Sequence, residues 1–479
     1  MITMTDHPQL EHITGDIPPV YRIDLSLPPS ERYVELAQVY RNHVPSLTML
    51  FDNLVQCFLP SIPLKWIQTI ARFCLRRLFT ADETDEIRGI SKALNVSMYL
   101  LVAFNVLLDL LMGCTSGGVR VKTGRDLDTK MLHFRTLDWG MDALRKIVVQ
   151  LEFVSSPKSD KVLATSITYV GFVGVLTAVR EKLSVSLNFR PMHDTSSRLA
   201  TFRFYFNHLL VLIGARRSIS SVLRQCVLPE SIAPCSNWLL NPFRRQKDEH
   251  ATSLEPLSLE LLRKTIPPLP TTAAYLIFSD GSSTVTMEKD HRTAVIRSSP
   301  SFIVIANNDQ APHSTATHKT AEGNNEAHAA LTVVSGELET MAALIEDSNE
   351  RCACMQEQWN ENYTRAHKTW KRSQLQRRRE RPEVGINDDE SATQSVPKKR
   401  RSKRVSEGSS LSHPMASTDN IVNSTGFQFA ATTQEAVQWL SMYPVTNETT
   451  HFAAVMDPSE GKVAWVRRYI EPCIPVSDD

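Results

Sequence analysis

At Cys114 the hydrophobic rhythm of this chain changes period, and that change limits what the chain can fold into. Before it, apolar residues recur every three or four positions, as in 33–50 and 64–78, the spacing of helices with one buried face. After it they alternate. Val119 and Val121 do so, then Ile147, Val149, Leu151 and Phe153, then Leu183, Val185, Leu187 and Phe189, each series marking a half-buried strand. Asp280-Gly281 lies between the apolar runs 275–278 and 285–287, a hairpin signal. Residues 303–306 read as a short strand, and 452–456 and 463–466, joined by DPSEG, as a closing hairpin. Helices are expected over 209–227, 330–346 and 433–442. The pattern implies an α+β fold in which helices pack on stacked sheets. With 479 residues, 42% of them hydrophobic, the chain can bury a sizeable core.

A formal net charge of +1 hides an asymmetry. Residues 371–404 hold 12 Lys/Arg against 5 Asp/Glu, so the remainder is mildly acidic. From 371 to 426 there is no Phe, Tyr or Trp, and apolar residues are sparse. Such a segment cannot bury enough surface to order itself, and 371–426 is expected to be a disordered basic insertion. Within it PKKRRSKR (397–404), with RRRER (377–381) upstream, has the composition of a nuclear-import signal and equally of a solvated basic loop. Nucleic acid is not expected as a partner. The eight cysteines are scattered without a CxxC pair, so neither zinc-site spacing nor a disulfide scaffold is present, and no metal or cofactor is expected.

The first 16 residues are polar and lack the apolar run of a secretory leader, which points to an intracellular product, lysosomal only if the true start lies upstream. Residues 98–112, MYLLVAFNVLLDLLM, are too short to span a bilayer and carry Asn105 and Asp109, so a buried helix is expected there. The helix from Leu64 to Leu78 mixes Trp66, Ile67, Ile70 and Phe73 with Lys65, Arg72, Arg76 and Arg77. It reads either as a surface helix of the core or as one that lies on a membrane surface.

Cysteine chemistry needs a thiolate, a proton acceptor, an oxyanion stabiliser and a held geometry. Cys114 sits in MGCTSGG, where helix gives way to strand. Gly113 before it is permissive enough to present its carbonyl in a strained conformation, and Gly117-Gly118 after it let other backbone approach. A buried structural cysteine is the commoner fate of such a residue. In MLHFRTLDWG (131–140), Arg135 and Asp138 are expected to flank a short turn after an apolar strand. An arginine beside a thiol lowers its pKa, and an aspartate three residues on can hold an ammonium; a surface ion pair is the plainer alternative.

These segments resemble, in order, the acid ceramidase and N-acylethanolamine acid amidase family of N-terminal-nucleophile hydrolases. PPVYRIDLSLPPSERY resembles the start of the mature domain, FTADETDEIRGISKALNVSMYLLVAFN the helices leading to the nucleophile, and GCTS the nucleophile motif. FRTLDWG resembles the GRNxDF/Y signature, YVGFVGVLTAVREKLSVSLNFR the GYVGxLTG strand pair, VIANNDQ the TNYDHW segment, and MYPVTNETTHFAAVMDP the closing strand region. The basic insertion lies outside the resemblance.

The resemblance implies a four-layer αββα sandwich of the N-terminal-nucleophile hydrolase type, with a helical segment at 1–113, a catalytic core at 114–370, and closing helix and strands at 427–479. It implies that Cys114 is the nucleophile and is unmasked when the chain cuts itself after Gly113, leaving 1–113 and 114–479 associated. It gives Arg135 to the thiolate and substrate, Asp138 to the freed α-amine and Asn307 to the oxyanion, with Arg351, in NERCAC, and Trp139 near the site. The implied substrate is an N-acyl lipid, a ceramide or an N-acylethanolamine. Two departures stand out: Phe189 replaces a Glu in the family's LNER-like motif, and NNDQAP replaces NYDHW. With Phe189 in place, the alternative is a catalytically weakened relative that binds lipid or acts in the nucleus.

Overall fold

The computed structural model describes residues 16–43, 63–107, 113–124, 128–194, 196–228, 257–310, 341–380 and 427–473. Its elements run β1 (Val20–Asp24), α1 (Val34–Val39), α2 (Leu64–Cys74), α3 (Ala81–Leu94), α4 (Met98–Leu107), β2 (Gly113–Lys122), β3 (Thr129–Asp138), β4 (Val148–Val154), β5 (Val162–Tyr169), β6 (Thr177–Arg180) and β7 (Leu183–Phe189). They continue with α5 (Arg198–Leu212), α6 (Ile219–Val227), α7 (Leu259–Thr265), β8 (Ala274–Ser279), β9 (Thr284–Lys289), β10 (Ala294–Ser299), β11 (Phe302–Ile305), α8 (Met341–Glu380), α9 (Thr433–Leu440), β12 (Thr450–Asp457) and β13 (Lys462–Arg468). Two compact units divide the chain, one of Met1–Asn360 with Ala430–Asp479 and one of Glu361–Phe429.

Alternation builds two sheets. One has eight strands in the order β1-β4-β5-β6-β7-β8-β9-β10; the other has five, in the order β11-β2-β3-β12-β13. They stack face to face through polar side chains as well as apolar ones. His133 of β3 lies 2.9 Å from both Ser184 Oγ and Ser186 Oγ of β7. Ser116 of β2 donates to Asn188 Oδ1 of β7 at 2.7 Å. Burial drives the His133 imidazole down to a pKa of about 3, so it is a neutral partner between the sheets. On the outer faces α6 packs on β6 and β7, while α9 packs on β2 and β3. The first half of α8 adds Trp359, stacked on Phe302 of β11 at 5.1 Å. The result is the expected αββα layering.

Gly117 shows why that motif carries glycines: a Cβ there would lie 2.0 Å from the Ile303 carbonyl oxygen of β11. Several boundaries differ from expectation. Residues 135–138 are not a turn; the whole of Thr129–Asp138 is strand, because β3 is paired on both sides, by β2 and by β12. The helix expected over 209–227 is two, α5 and α6, broken where Gly214 turns at φ +67° and a Cβ would meet Arg77 O at 2.7 Å. The helix expected over 33–50 ends at Val39 before a 3-10 turn at Arg41–His43, and that of 64–78 ends at Cys74. The expected buried helix is present as α4, whose last described residue is Leu107.

Residues 371–380, expected to lack structure, continue α8: Lys, Arg, Gln and Leu are good helix formers, and the first proline is Pro382. Residues 381–426, with the basic run at 397–404, lie outside the described residues. In the smaller unit, Tyr363, His367 and Trp370 gather around Phe427, with ring centroids 5.1–5.7 Å from it. Among the described residues no helix is long and apolar enough to cross a membrane.

The segment before Cys114 is built into the same core. β1 runs parallel to β4 from Val20 opposite Gln150 to Asp24 opposite Val154. Buried Asn105 of α4 donates to Gly171 O and accepts from Val173 N–H, both at 2.8 Å. Glu86 of α3 has no exposed side chain and takes Arg32 Nη1 at 2.9 Å and Arg224 Nη2 of α6 at 2.7 Å. Removing the shared carboxylate leaves buried Arg32 with only the more distant Asp82, at 3.9 Å, and takes from Arg224 its carboxylate partner. Glu86→Ala should therefore lose about 3–5 kcal/mol of unfolding free energy in a urea titration.

Candidate active site

Cys114 is the second residue of β2, and its side chain faces the other sheet. The thiol is fully buried. Arg135, two positions from the cross-strand partner Leu137, projects from β3 on the same face. Its Nη2 donates to Cys114 Sγ at 3.3 Å, and its Nη1 donates to the carbonyls of Leu187 at 2.6 Å and Leu176 at 3.3 Å. The thiol also lies 3.8 Å from Leu187 O. Strand geometry places both side chains, since cysteine and arginine sit on adjacent strands with their Cβ atoms toward one interior face.

Asn307 closes the arrangement from the segment after β11. Its Oδ1 accepts from the backbone N–H of Cys114 at 2.8 Å and from Arg351 Nη2 at 2.9 Å. Two donors on one oxygen fix the orientation of the amide. Its Nδ2 donates to Phe189 O at 2.8 Å, and its backbone N–H donates to Ser348 Oγ at 2.7 Å. Arg351 reaches in from α8 with its guanidinium buried and pairs with Asp347.

Asp138, the last residue of β3, stands opposite Gly113 in the β2–β3 ladder. Its Oδ1 accepts from Thr450 Oγ1 at 2.6 Å and its Oδ2 from Thr136 Oγ1 at 3.2 Å. Thr136 Oγ1 in turn accepts from the Thr115 N–H at 3.2 Å. Trp139 is fully buried, edge-on to Tyr169 at 6.5 Å and tilted against His451 at 6.4 Å; Tyr169 Oη and His451 Nδ1 are 2.8 Å apart.

The structure thus brings Gly113, Cys114, Arg135, Asp138, Asn307 and Arg351 into one cluster, and it gives Phe189 a backbone role there, with its side chain buried. Sequence reasoning missed Thr136, Thr450, Tyr169 and His451. All four lie in quoted stretches, Thr136 in FRTLDWG, Tyr169 opening YVGFVG, and Thr450 and His451 in NETTHF, but hydroxyls and a histidine there have no spacing that singles them out.

Burial dominates the electrostatics. It pushes the Cys114 thiol up to about 11; Arg135 pulls down, Asp138 pushes up, and Arg351 and a backbone hydrogen bond from Phe189 pull down. Burial likewise raises the Asp138 carboxyl to about 6, against Arg351 and the Thr450 hydrogen bond. Three N–H groups, Arg135 Nε, Arg351 Nε and Trp139 Nε1, are buried and engage no acceptor among the described residues. Among the described residues no group of three or more His, Cys, Asp or Glu is arranged to hold a metal ion.

Comparison with known proteins leads to the same place. Residues 16–79 match the model of the beta subunit of N-acylethanolamine-hydrolyzing acid amidase. A probable acid ceramidase of Caenorhabditis elegans is 29% identical over 194 residues, covering 36% of this chain and 46% of its own. Acid ceramidase of Bos taurus is 28% identical over 187 residues, covering 36% and 45%. The chain is similar to acid ceramidases and to the N-acylethanolamine-hydrolyzing acid amidase beta subunit. It spans about half the length of these curated relatives. A solved structure of the Caenorhabditis elegans N-acylethanolamine-hydrolyzing acid amidase ortholog is 15% identical with a TM-score of 0.38, over 74% of this chain and all of that one.

The raised Asp138 carboxyl has a consequence for stability. The folded carboxyl binds its proton more tightly than an unfolded one, whose ordinary value is 3.8. Its contribution to stability is therefore full below that value and is lost as pH rises through about 6. Between pH 4 and 7 the intact chain should lose about 2 kcal/mol relative to Asp138→Asn, read from denaturant midpoints across that range. Parallel curves for the two proteins would contradict it.

Proposed function

We propose that this chain is a self-cleaving cysteine amidohydrolase acting on N-acyl lipids, ceramides or N-acylethanolamines. The observation that carries the reading is the environment of Cys114. One buried thiol has a guanidinium on its sulfur and the Asn307 amide on its own backbone nitrogen.

In the intact chain the thiol attacks the Gly113 carbonyl carbon. The C–N bond to Cys114 breaks, the nitrogen takes the thiol proton, and a thioester forms. Water hydrolyses it to the Gly113 carboxylate and free Cys114. The new α-amine, with a reference pKa of about 7.7–8.0, then serves as base for its own thiol. Its thiolate attacks the lipid acyl carbonyl, the amine product leaves carrying the proton, and water resolves the acyl thioester. Arg135 stabilises the thiolate. Asp138, opposite the cut in the ladder, holds the α-amine. Asn307 donates through Nδ2 to the oxyanion, a contribution of roughly 10²–10³ in rate. The unengaged N–H groups of Arg135, Arg351 and Trp139 are donors left for substrate. Residues 1–113 stay attached after the cut through β1–β4 pairing, Asn105 and Glu86.

Lipid access has a surface to match. On α2, Trp66, Ile70 and Phe73 are exposed along one face, and on α5, Leu199, Phe202, Phe206 and Leu209 repeat at spacings of three, four and three. Both helices contact α4. Arg72, Arg76, Arg198 and Arg203 stand among them, the composition of a helix pair that lies in a membrane interface. Phe73→Ser with Phe202→Ser should weaken co-sedimentation with anionic lipid vesicles about tenfold.

A second reading, a weakened relative that binds lipid without turning it over, is favoured by Phe189 in place of the family's acid. Incubation from acidic to neutral pH followed by a denaturing gel separates the two. The enzyme reading expects a 113-residue fragment and a larger one beginning Cys-Thr-Ser, both absent in Cys114→Ala. A single full-length band at every pH would sink it.

A further inference from the structure

We propose that Arg190 and Asp309 form a clamp that positions Asn307 against Cys114. The inference rests on the amide hydrolysis proposed above and adds residues that do not touch the thiol. Asn307 belongs to 306–310, which follows β11 without regular secondary structure. Its side chain must nevertheless face the cysteine in one orientation, so something has to set the path of this short segment.

The anchor is a two-residue relation on both sides. Phe189, the last residue of β7, offers its carbonyl to Asn307 Nδ2. The next residue, Arg190, holds Asp309, two beyond Asn307, through a fork: Nε to Oδ1 at 2.7 Å and Nη2 to Oδ2 at 2.6 Å. A bidentate guanidinium–carboxylate pair fixes direction as well as distance. Tyr275 Oη of β8 donates to the same Oδ1 at 2.8 Å, and the guanidinium lies 5.8 Å from the Tyr275 ring centroid. Both charged side chains are nearly buried, with 10% of Arg190 and 3% of Asp309 exposed. Asp290 of the β9–β10 turn meets Arg190 Nη1 at 3.4 Å, so the arginine is tied to the large sheet while the aspartate rides on the segment carrying Asn307. One dipeptide thereby holds the amide and the carboxylate of Asn307–Asp309 together. Gln310 N–H, donated to Glu288 Oε1 at 3.0 Å, keeps the segment attached when the clamp is broken, so clamp variants should still fold.

The test is a double-mutant cycle on the self-cleaved protein, with the palmitoyl amide of aminomethylcoumarin as probe and thermal melts to confirm folding. Asp309→Asn should lower kcat about 10- to 100-fold with KM changed less than about threefold, and Arg190→Lys, which keeps the charge but not the fork, should lower kcat by a smaller factor. In an Asn307→Ala background, Asp309→Asn should add less than about threefold, because its effect passes through the missing amide. Folded Asp309→Asn and Arg190→Lys proteins with wild-type kcat would overturn the clamp while leaving a slow Asn307→Ala, and with it the role of Asn307, intact. A full multiplicative loss in the double variant would also overturn it. Wild-type kcat in Asn307→Ala alone would instead remove Asn307 from the reaction.

Discussion

The buried guanidinium of Arg135 is the interaction on which the site depends. An arginine deep between two sheets has to be compensated, and here the Leu187 carbonyl of the large sheet, the Leu176 carbonyl just before β6 and one sulfur of the small sheet share the task. The Leu187 carbonyl serves both the guanidinium and the thiol, so β7 measures the separation of the sheets at the place where the sulfur lies. Charge, packing and reactivity converge on one residue. Moving Arg135 would disturb the register of the layers as much as the acidity of the cysteine.

The architecture was legible where the hydrophobic period was clean. The switch at Cys114, the β8–β9 hairpin and the closing β12–β13 hairpin read directly, because alternation and turn residues act locally. Strand β3 misled for a physical reason: its HFRTLD stretch places a histidine, an arginine and an aspartate in a fully buried strand, and their partners, Ser184, Ser186, Leu187 and Thr450, come from other strands. Polar residues inside look like a turn until the fold supplies those partners. The break at Gly214 was hidden for a similar reason, since the steric demand comes from Arg77, more than a hundred residues away.

The sequence named candidate residues that the structure brings together, but it did not show their wiring. Motif order named Cys114, Arg135, Asp138, Asn307 and Arg351. It did not show that the Asn307 oxygen faces the cysteine nitrogen while its amide nitrogen is held by Phe189, because that depends on three elements meeting. Nor did it show that a substitution at Phe189 would leave the backbone of that residue in service: the carbonyl and N–H belong to β7 whatever the side chain.

The attachment of the leading segment has an implication for reversibility. Strand β1, Asn105 and Glu86 make their bonds to residues on the far side of Gly113. While the peptide bond is whole, these contacts form within one molecule, at the high effective concentration a tether provides. A break at that bond would leave every contact in place, yet refolding after denaturation would become a second-order encounter between two chains. The folded form would persist, and the route back to it would now depend on protein concentration. The chain would thus be assembled once, under conditions that no longer exist after it has been cut.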